Sequence, residues 1–164
     1  MSPLSALKRW FGDPNFRKKR QFLHSLGLFS EMKGSELGTL AQALHARTDR
    51  PGEVVFVEGD IGRAFFILES GRVELTRMGP DGKSALLYTL KPGEFFGEMA
   101  LLESLPRSAT ATAVETSRLH LLYRTKLDVM IQSNPRIGVA VMTHFARLLS
   151  ARLRRAGSLP PSDA

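Results

Sequence analysis

Two neighbouring runs hold the residue types from which a binding chemistry could be built. They are Phe95-Phe96-Gly97-Glu98-Met99-Ala100-Leu101-Leu102 and Pro106-Arg107-Ser108-Ala109-Thr110-Ala111, separated by Glu103-Ser104-Leu105. The order reads as a strand, a glycine, a short helical turn, a proline turn and an arginine opening the next strand. Gly97 lets the backbone come close to a ligand. The amides that open the Glu98–Leu102 turn lack partners within it and attract an anion. Arg107 offers a two-pronged donor to phosphate oxygens. Glu98 repels a phosphate, so its place here suits a sugar hydroxyl donating to the carboxylate. A ligand with one phosphate and an adjacent ribose hydroxyl satisfies all of these residues together.

Other chemistries find little support. The 164 residues include no cysteine, which removes disulfides, Cys-based zinc sites, iron–sulfur clusters and thiol nucleophiles. Gly82-Lys83-Ser84 resembles the end of a phosphate-binding P-loop, but the first glycine of that motif would fall on Arg77 and no strand-to-helix context follows. His24, His45, His120 and His144 show no paired metal-ligand spacing, and no serine sits in a G-x-S-x-G elbow. The expectation is a binding protein rather than an enzyme, with neither metal nor cofactor.

The elements that must position these runs separate by period and punctuation. Up to about residue 46 the pattern is helical: Phe22, Leu23, Leu26 and Leu28 precede a break at Met32-Lys33-Gly34, and Ser35 is the expected N-cap of a helix bearing Leu37, Leu40, Ala41 and Leu44. From about residue 47 to 123, turn signals recur between short β-prone runs at Val54–Val57, Ala64–Leu68, Val73–Thr76, Ala85–Leu90, Thr110–Val114 and Leu119–Tyr123. That spacing predicts an all-β sandwich or barrel. Gly79 to Gly82 is the expected loop of a hairpin with arms Val73–Met78 and Lys83–Leu90. Helices return after Tyr123. Asn134 followed by Pro135 predicts a capped helix to about Arg155, ended by Gly157 and Pro160-Pro161, with Ile137, Val141, Phe145, Leu148 and Leu149 as its apolar stripe.

Length fits one domain that needs no staple, burying roughly 68–70% of its unfolded surface. The formal net charge of +7 sits at the two ends: residues 1–50 carry nine Lys and Arg against four Asp and Glu, and residues 131–164 five against one, while 51–130 carry nine against eleven. A nucleic-acid binder could show this pattern, but the basic clusters lack interleaved aromatics and no helix-turn-helix or zinc-finger pattern accompanies them. Solvated helical faces are the expected reading. No stretch approaches a membrane span, and the N-terminus lacks the apolar core of a secretory signal. Leu4, Leu7, Trp10 and Phe11 could share a helical face that packs on the protein or lies on a membrane surface.

The Phe96–Leu101 and Pro106–Thr110 runs closely resemble the phosphate-binding cassette of cyclic-nucleotide-binding domains, whose pattern is F-G-E-x-A-L, a variable loop and P-R-x-A-T. That family includes regulatory subunits of protein kinases, cyclic-nucleotide-gated channels and bacterial catabolite activator proteins. The resemblance continues upstream through Pro51-Gly52-Glu53, Glu58-Gly59-Asp60, Phe66-Ile67-Leu68, Gly71-Arg72-Val73 and Pro92-Gly93-Glu94, and covers roughly residues 22–155.

The resemblance implies a mainly β, α+β fold: an eight-stranded antiparallel, jelly-roll-like β-roll with N- and C-terminal flanking helices, holding cAMP or cGMP. It implies that Arg107 pairs with the cyclic phosphate and that Glu98 accepts from the ribose 2′-hydroxyl. The backbone amides near Ala100 and Ala109 complete the phosphate cage, Gly97 and Met99 belong to the same ligand-binding set, and Leu75 and Leu87 match apolar wall positions. A hydroxyl at Ser108 can serve either the phosphate or the guanine amino group, which leaves cAMP favoured with cGMP tolerated. The expected organisation is a basic, helical extension over 1–21, the nucleotide-binding domain over 22–155 and a disordered tail over 156–164. With only nine residues after Arg155 and no pore helices before the domain, the expectation is a stand-alone cytoplasmic receptor without a DNA-binding domain. It would signal to a separate effector protein or dimerise through its C-terminal helix. The competing readings are a nucleic-acid-binding protein and a structural interaction module with a vestigial pocket.

Overall fold

The computed structural model describes residues 13–27 and 29–157. Leu4, Leu7, Trp10, Phe11 and Leu28, and the expected tail from residue 158 onward, lie outside the described residues. The described chain divides into two compact units: Gln42–Asp128, and the segments up to Ala41 and from Val129.

The Gln42–Asp128 unit is built from eight strands: β1 (His45–Asp49), β2 (Val54–Phe56), β3 (Ala64–Ser70), β4 (Val73–Met78), β5 (Ser84–Leu90), β6 (Phe95–Phe96), β7 (Thr110–Ala113) and β8 (Ser117–Tyr123). They form two four-stranded sheets, in the orders β1-β8-β3-β6 and β2-β7-β4-β5, and every pairing is antiparallel. This is the implied β-roll. The central strand β3 buries Ala64 to Leu68 without a break, as a strand flanked on both sides by β8 and β6 must. In β7 the burial alternates, with Ala111 and Ala113 inward and Thr110 and Thr112 half-exposed, the period of two that a one-sided strand requires. Phe66, Leu68, Phe96, Leu119 and Leu121 of one sheet meet Val55, Val73, Leu90 and Ala111 of the other in one core cluster, with Phe56 and Leu75 packed against it. Each large side chain so buried contributes about 1.5–3 kcal/mol relative to exposure.

The β4–β5 hairpin matches the expected arms closely, with Met78 paired to Ser84 and Val73 to Leu90, and a register shift between Leu75 and Thr76. Its loop closes through the Gly79 amide donating to the Lys83 carbonyl at 2.8 Å. Gly82, at φ +74, makes the turn. The P-loop-like residues are therefore a hairpin turn.

Two expectations shift. The N-terminal helical pattern ends at Ala43, and His45–Asp49 is a strand that, among the described residues, pairs only with β8. His-Ala-Arg-Thr-Asp has no apolar alternation because it is an edge strand mostly open to solvent. Second, helix α2 (Gly34–Ala43) is not capped by Ser35. The Glu36 carboxylate accepts from the Lys33 amide at 2.9 Å and the Lys33 carbonyl accepts from Leu37 at 2.9 Å. Lys33 therefore stands at the cap, and Glu36 supplies the side-chain half of a capping box.

The other unit holds α1 (Pro14–Ser25), capped by the Asp13 carboxylate accepting from Asn15 at 2.9 Å, together with α2 up to Ala41 and α5 (Pro135–Gly157). Between Met99 and Leu102 lies the short α3, and α4 (Arg124–Ser133) has residues in both units. Asn134 caps α5 as expected, its side chain accepting from Ile137 at 3.4 Å. Ile137, Val141 and Phe145 are buried, Leu149 and Met142 half-buried, and Val139 and Leu153 are 65% and 73% exposed. Of the basic N-terminal cluster, Arg17 and Lys18 face solvent while Lys19 donates to the Ala41 carbonyl. Among the described residues no helix is long and apolar enough to cross a membrane.

Candidate functional site

The site is assembled from the turn between β6 and α3, the loop into β7, and the loop between β2 and β3. Gly97 follows β6 with φ +71, a left-handed conformation natural to glycine. The chain then folds into α3, where Leu101 donates to the Glu98 carbonyl at 3.0 Å and Glu103 to Met99 at 2.8 Å. The Ala100 amide, expected to face a phosphate, donates here to the Gly97 carbonyl at 3.2 Å, a long bond that closes the turn.

Arg107 is fixed at both its backbone and its side chain. Its amide donates to the Asp60 carbonyl at 2.7 Å, its carbonyl accepts from Gly59 at 2.9 Å, and Pro106 bridges to Ile61. The side chain turns back onto the body of the β-roll. Nη2 donates to the Ala64 carbonyl at 2.7 Å and Nη1 to the Gly97 carbonyl at 3.1 Å. The guanidinium carbon stands 4.2 Å from the centroid of the Phe56 ring and 5.6 Å from that of Phe66. Burial pulls the Arg107 pKa down from its ordinary value, against the opposing fields of Glu98 and Asp60. An arginine starts so far above neutrality that the group keeps its charge. The result is a half-buried cation with two arms held by carbonyls.

Glu98 is 9% exposed and precedes α3 without capping it through its side chain. A carboxylate this buried lies within electrostatic reach of Arg107, so an acceptor and a donor share one neighbourhood. Gly97, Glu98, Ala100 and Arg107 are thus gathered into one place. Ala100 and Ala109 are buried and Met99 is exposed. Ser108 is exposed, and its carbonyl accepts from Arg77 Nε at 2.8 Å. Leu75 faces Ala111 of β7 and Tyr88 of β5 in the ladder. Leu87, 47% exposed, falls at the shift in the β4–β5 register.

Sequence reasoning passed over four residues of this neighbourhood. Phe56 reads as one apolar residue in a β run and Asp60 as part of a turn. Arg77 reads as a hairpin arm. Gly62 reads as one turn signal among many, yet a Cβ there would lie 3.0 Å from Arg107 Cζ and 2.7 Å from Ala100 Cβ. The only signal for Gly62 was its nearness in sequence to the Glu58-Gly59-Asp60 run.

A two-sheet antiparallel roll that presents a buried carboxylate and a seated arginine between a glycine turn and a proline turn defines a class of ligand-binding domain. Residues 47–134 match the profile of the family described as the cyclic nucleotide-binding domain, and the chain belongs to that family. It is 45% identical over 92 residues to a cAMP-dependent protein kinase regulatory subunit of Yarrowia lipolytica, covering 56% of this chain and 24% of that protein. It is 36% identical over 129 residues to the cyclic AMP receptor protein of Thermus thermophilus, covering 79% of this chain and 58% of that one. Among solved structures, the N-terminal domain of a transcriptional regulator from Streptomyces coelicolor superposes with a TM-score of 0.72 at 29% identity, covering 87% of this chain and 99% of that one. The chain therefore spans between about a quarter and three-fifths of the length of these two curated relatives.

Proposed function

We propose that this chain is a non-catalytic receptor for a purine cyclic mononucleotide, cAMP in preference and cGMP tolerated, that reports occupancy through its helical flanks to a separate partner protein. Arg107 pairs with the cyclic phosphate, Glu98 accepts from the ribose 2′-hydroxyl, and the backbone of Gly97, Met99, Ala100 and Ala109 lines the phosphate. Ser108 adds a hydroxyl, and Leu75 and Leu87 wall the base. The observation that carries this reading is the Arg107 guanidinium, held as a cation against Phe56 with the buried Glu98 carboxylate within its electrostatic reach. A singly charged cyclic phosphate with a neighbouring hydroxyl is complementary to that pair. Support for a moving flank comes from exposed apolar side chains on and after α3, namely Met99, Leu102 and Leu105, and from Val139 and Leu153 on α5.

Thermal unfolding with cAMP, cGMP and a cyclic dinucleotide tests the reading. At 100 times its dissociation constant, cAMP is expected to add about 2.7 kcal/mol of stability, cGMP less at the same concentration, and the dinucleotide nothing. Arg107→Ala is expected to lose roughly 2–5 kcal/mol of nucleotide affinity, because a buried phosphate is left without its partner. No stabilisation by either mononucleotide would leave a structural module with a vestigial pocket. Unchanged affinity in the variant would move the phosphate elsewhere.

A further inference from the structure

Resting on the receptor reading, we propose that Phe56 and Gly62 are positioning residues that form a seat for the Arg107 guanidinium and so set the affinity for the cyclic phosphate.

Gly62 has no conformational need to be glycine. Its φ is not among the positive values found at Gly52, Gly59, Gly71, Gly82, Gly93 and Gly97. What the position needs is space. An added Cβ would stand 3.0 Å from Arg107 Cζ, 3.1 Å from Nε and 2.7 Å from Ala100 Cβ, all closer than ordinary side-chain contact. Gly97 restricts the same group from another position, since a Cβ there would lie 2.6 Å from Nη1. The two glycines leave a slot that the guanidinium fills. Phe56 supplies the surface under it, with the ring centroid 4.2 Å from Cζ, within the range in which a ring face attracts a cation. Phe56 is itself steadied by Phe66 and Phe96, with centroid separations of 5.5 and 5.8 Å.

With Nη1 and Nη2 already donating to the Gly97 and Ala64 carbonyls, the guanidinium has little rotational freedom left. A donor fixed before the ligand arrives loses less entropy on binding than a free arginine would. Displacing it by a methyl group at 62, or removing the aromatic face at 56, therefore acts on the phosphate contact although neither residue need touch the ligand.

The experiment measures cAMP affinity by calorimetry for Phe56→Leu and Gly62→Ala, each in the unaltered protein and in Arg107→Ala, with thermal unfolding of every variant without ligand as the check on folding. In the Arg107 protein, Gly62→Ala is expected to weaken binding by about tenfold and Phe56→Leu by roughly threefold to tenfold. Phe56→Tyr, which keeps the ring face, recovers most of the Phe56→Leu loss. In the Arg107→Ala background Phe56→Leu is expected to be silent, and Gly62→Ala to keep the part of its loss that comes from the 2.7 Å approach to Ala100 Cβ and to shed the part that acts through the guanidinium. Equal losses in both backgrounds mean that the residues serve the fold alone and overturn the seat. Unchanged affinity in both variants does the same. An unaltered protein that binds neither cAMP nor cGMP overturns the receptor reading, and the seat with it.

Discussion

Arg107 holds its charge in a place where burial works against it, and one of the groups that offset this cost, Glu98, is also the one assigned to the sugar of the proposed ligand. Desolvation lowers its pKa while Glu98 and Asp60 pull the other way, and the guanidinium, starting far above neutrality, stays charged. For the proposed ligand the division of labour is strict, because a phosphate cannot replace a sugar hydroxyl at Glu98. Glu98→Gln is therefore expected to weaken cAMP more than 2′-deoxy-cAMP. A hydrogen bond to a charged acceptor is worth about 1.5–3 kcal/mol, and only the ribose form can lose it. Parallel calorimetric titrations of the two nucleotides measure the difference; equal losses would mean that Glu98 serves the backbone around α3 rather than the sugar.

The helical unit contains a titratable element of its own. His144 on α5 is 8% exposed, with the edge of its ring toward Phe29 at a centroid separation of 6.4 Å. Its pKa is lowered chiefly by burial and next by Arg147, with Glu31 and Glu36 opposing. In the unfolded chain the ring titrates near 6.5, so over the window just below that value the unfolded state binds a proton that the folded state refuses. Stability then rises with pH: the contribution is present above about pH 6.5 and is lost as pH falls from there toward the lower folded-state pKa. Urea unfolding across that range is expected to show a steeper acid loss for the native protein than for His144→Gln. Identical slopes would assign the acid sensitivity to other groups. The ion pairs beside it, Arg147–Glu31 at 2.6 Å and Arg136–Glu36 at 3.5 Å, have their arginines in solvent, where such pairs contribute at most about 1 kcal/mol each.

At the scale of the whole molecule the proposed receptor has two units, a β-roll bearing the candidate site and a helical set that includes α5. A flank reports occupancy only through a difference in free energy between its positions with and without ligand. Amide hydrogen exchange over residues 135–155 is accordingly expected to change when cAMP is added, with sedimentation on the same samples reporting whether the exposed Val139 and Leu153 meet a second copy. Identical protection with and without nucleotide, at monomer mass, would remove both the moving flank and the dimer seam.

What the sequence determined was the local part. Gly97, the Pro106-Arg107 turn, the Gly79–Gly82 hairpin loop and the Asn134-Pro135 cap each act within a few residues, through a fixed φ, a missing amide or a short side-chain bond. The cassette was legible for that reason, as were the arms of the hairpin and the start of α5. Tertiary structure decided the rest. β1 is a strand because β8 offers it a ladder, and nothing in His-Ala-Arg-Thr-Asp announces that. The cap of α2 is itself local, Glu36 reaching back three residues to Lys33, and was hidden because Ser35 is the commoner cap residue. The seat of Arg107 draws on Ala64, 43 residues away in the chain, and on Phe56 and Gly62. No local preference marks those residues, since what makes them matter is the few ångströms that folding leaves between them and one guanidinium.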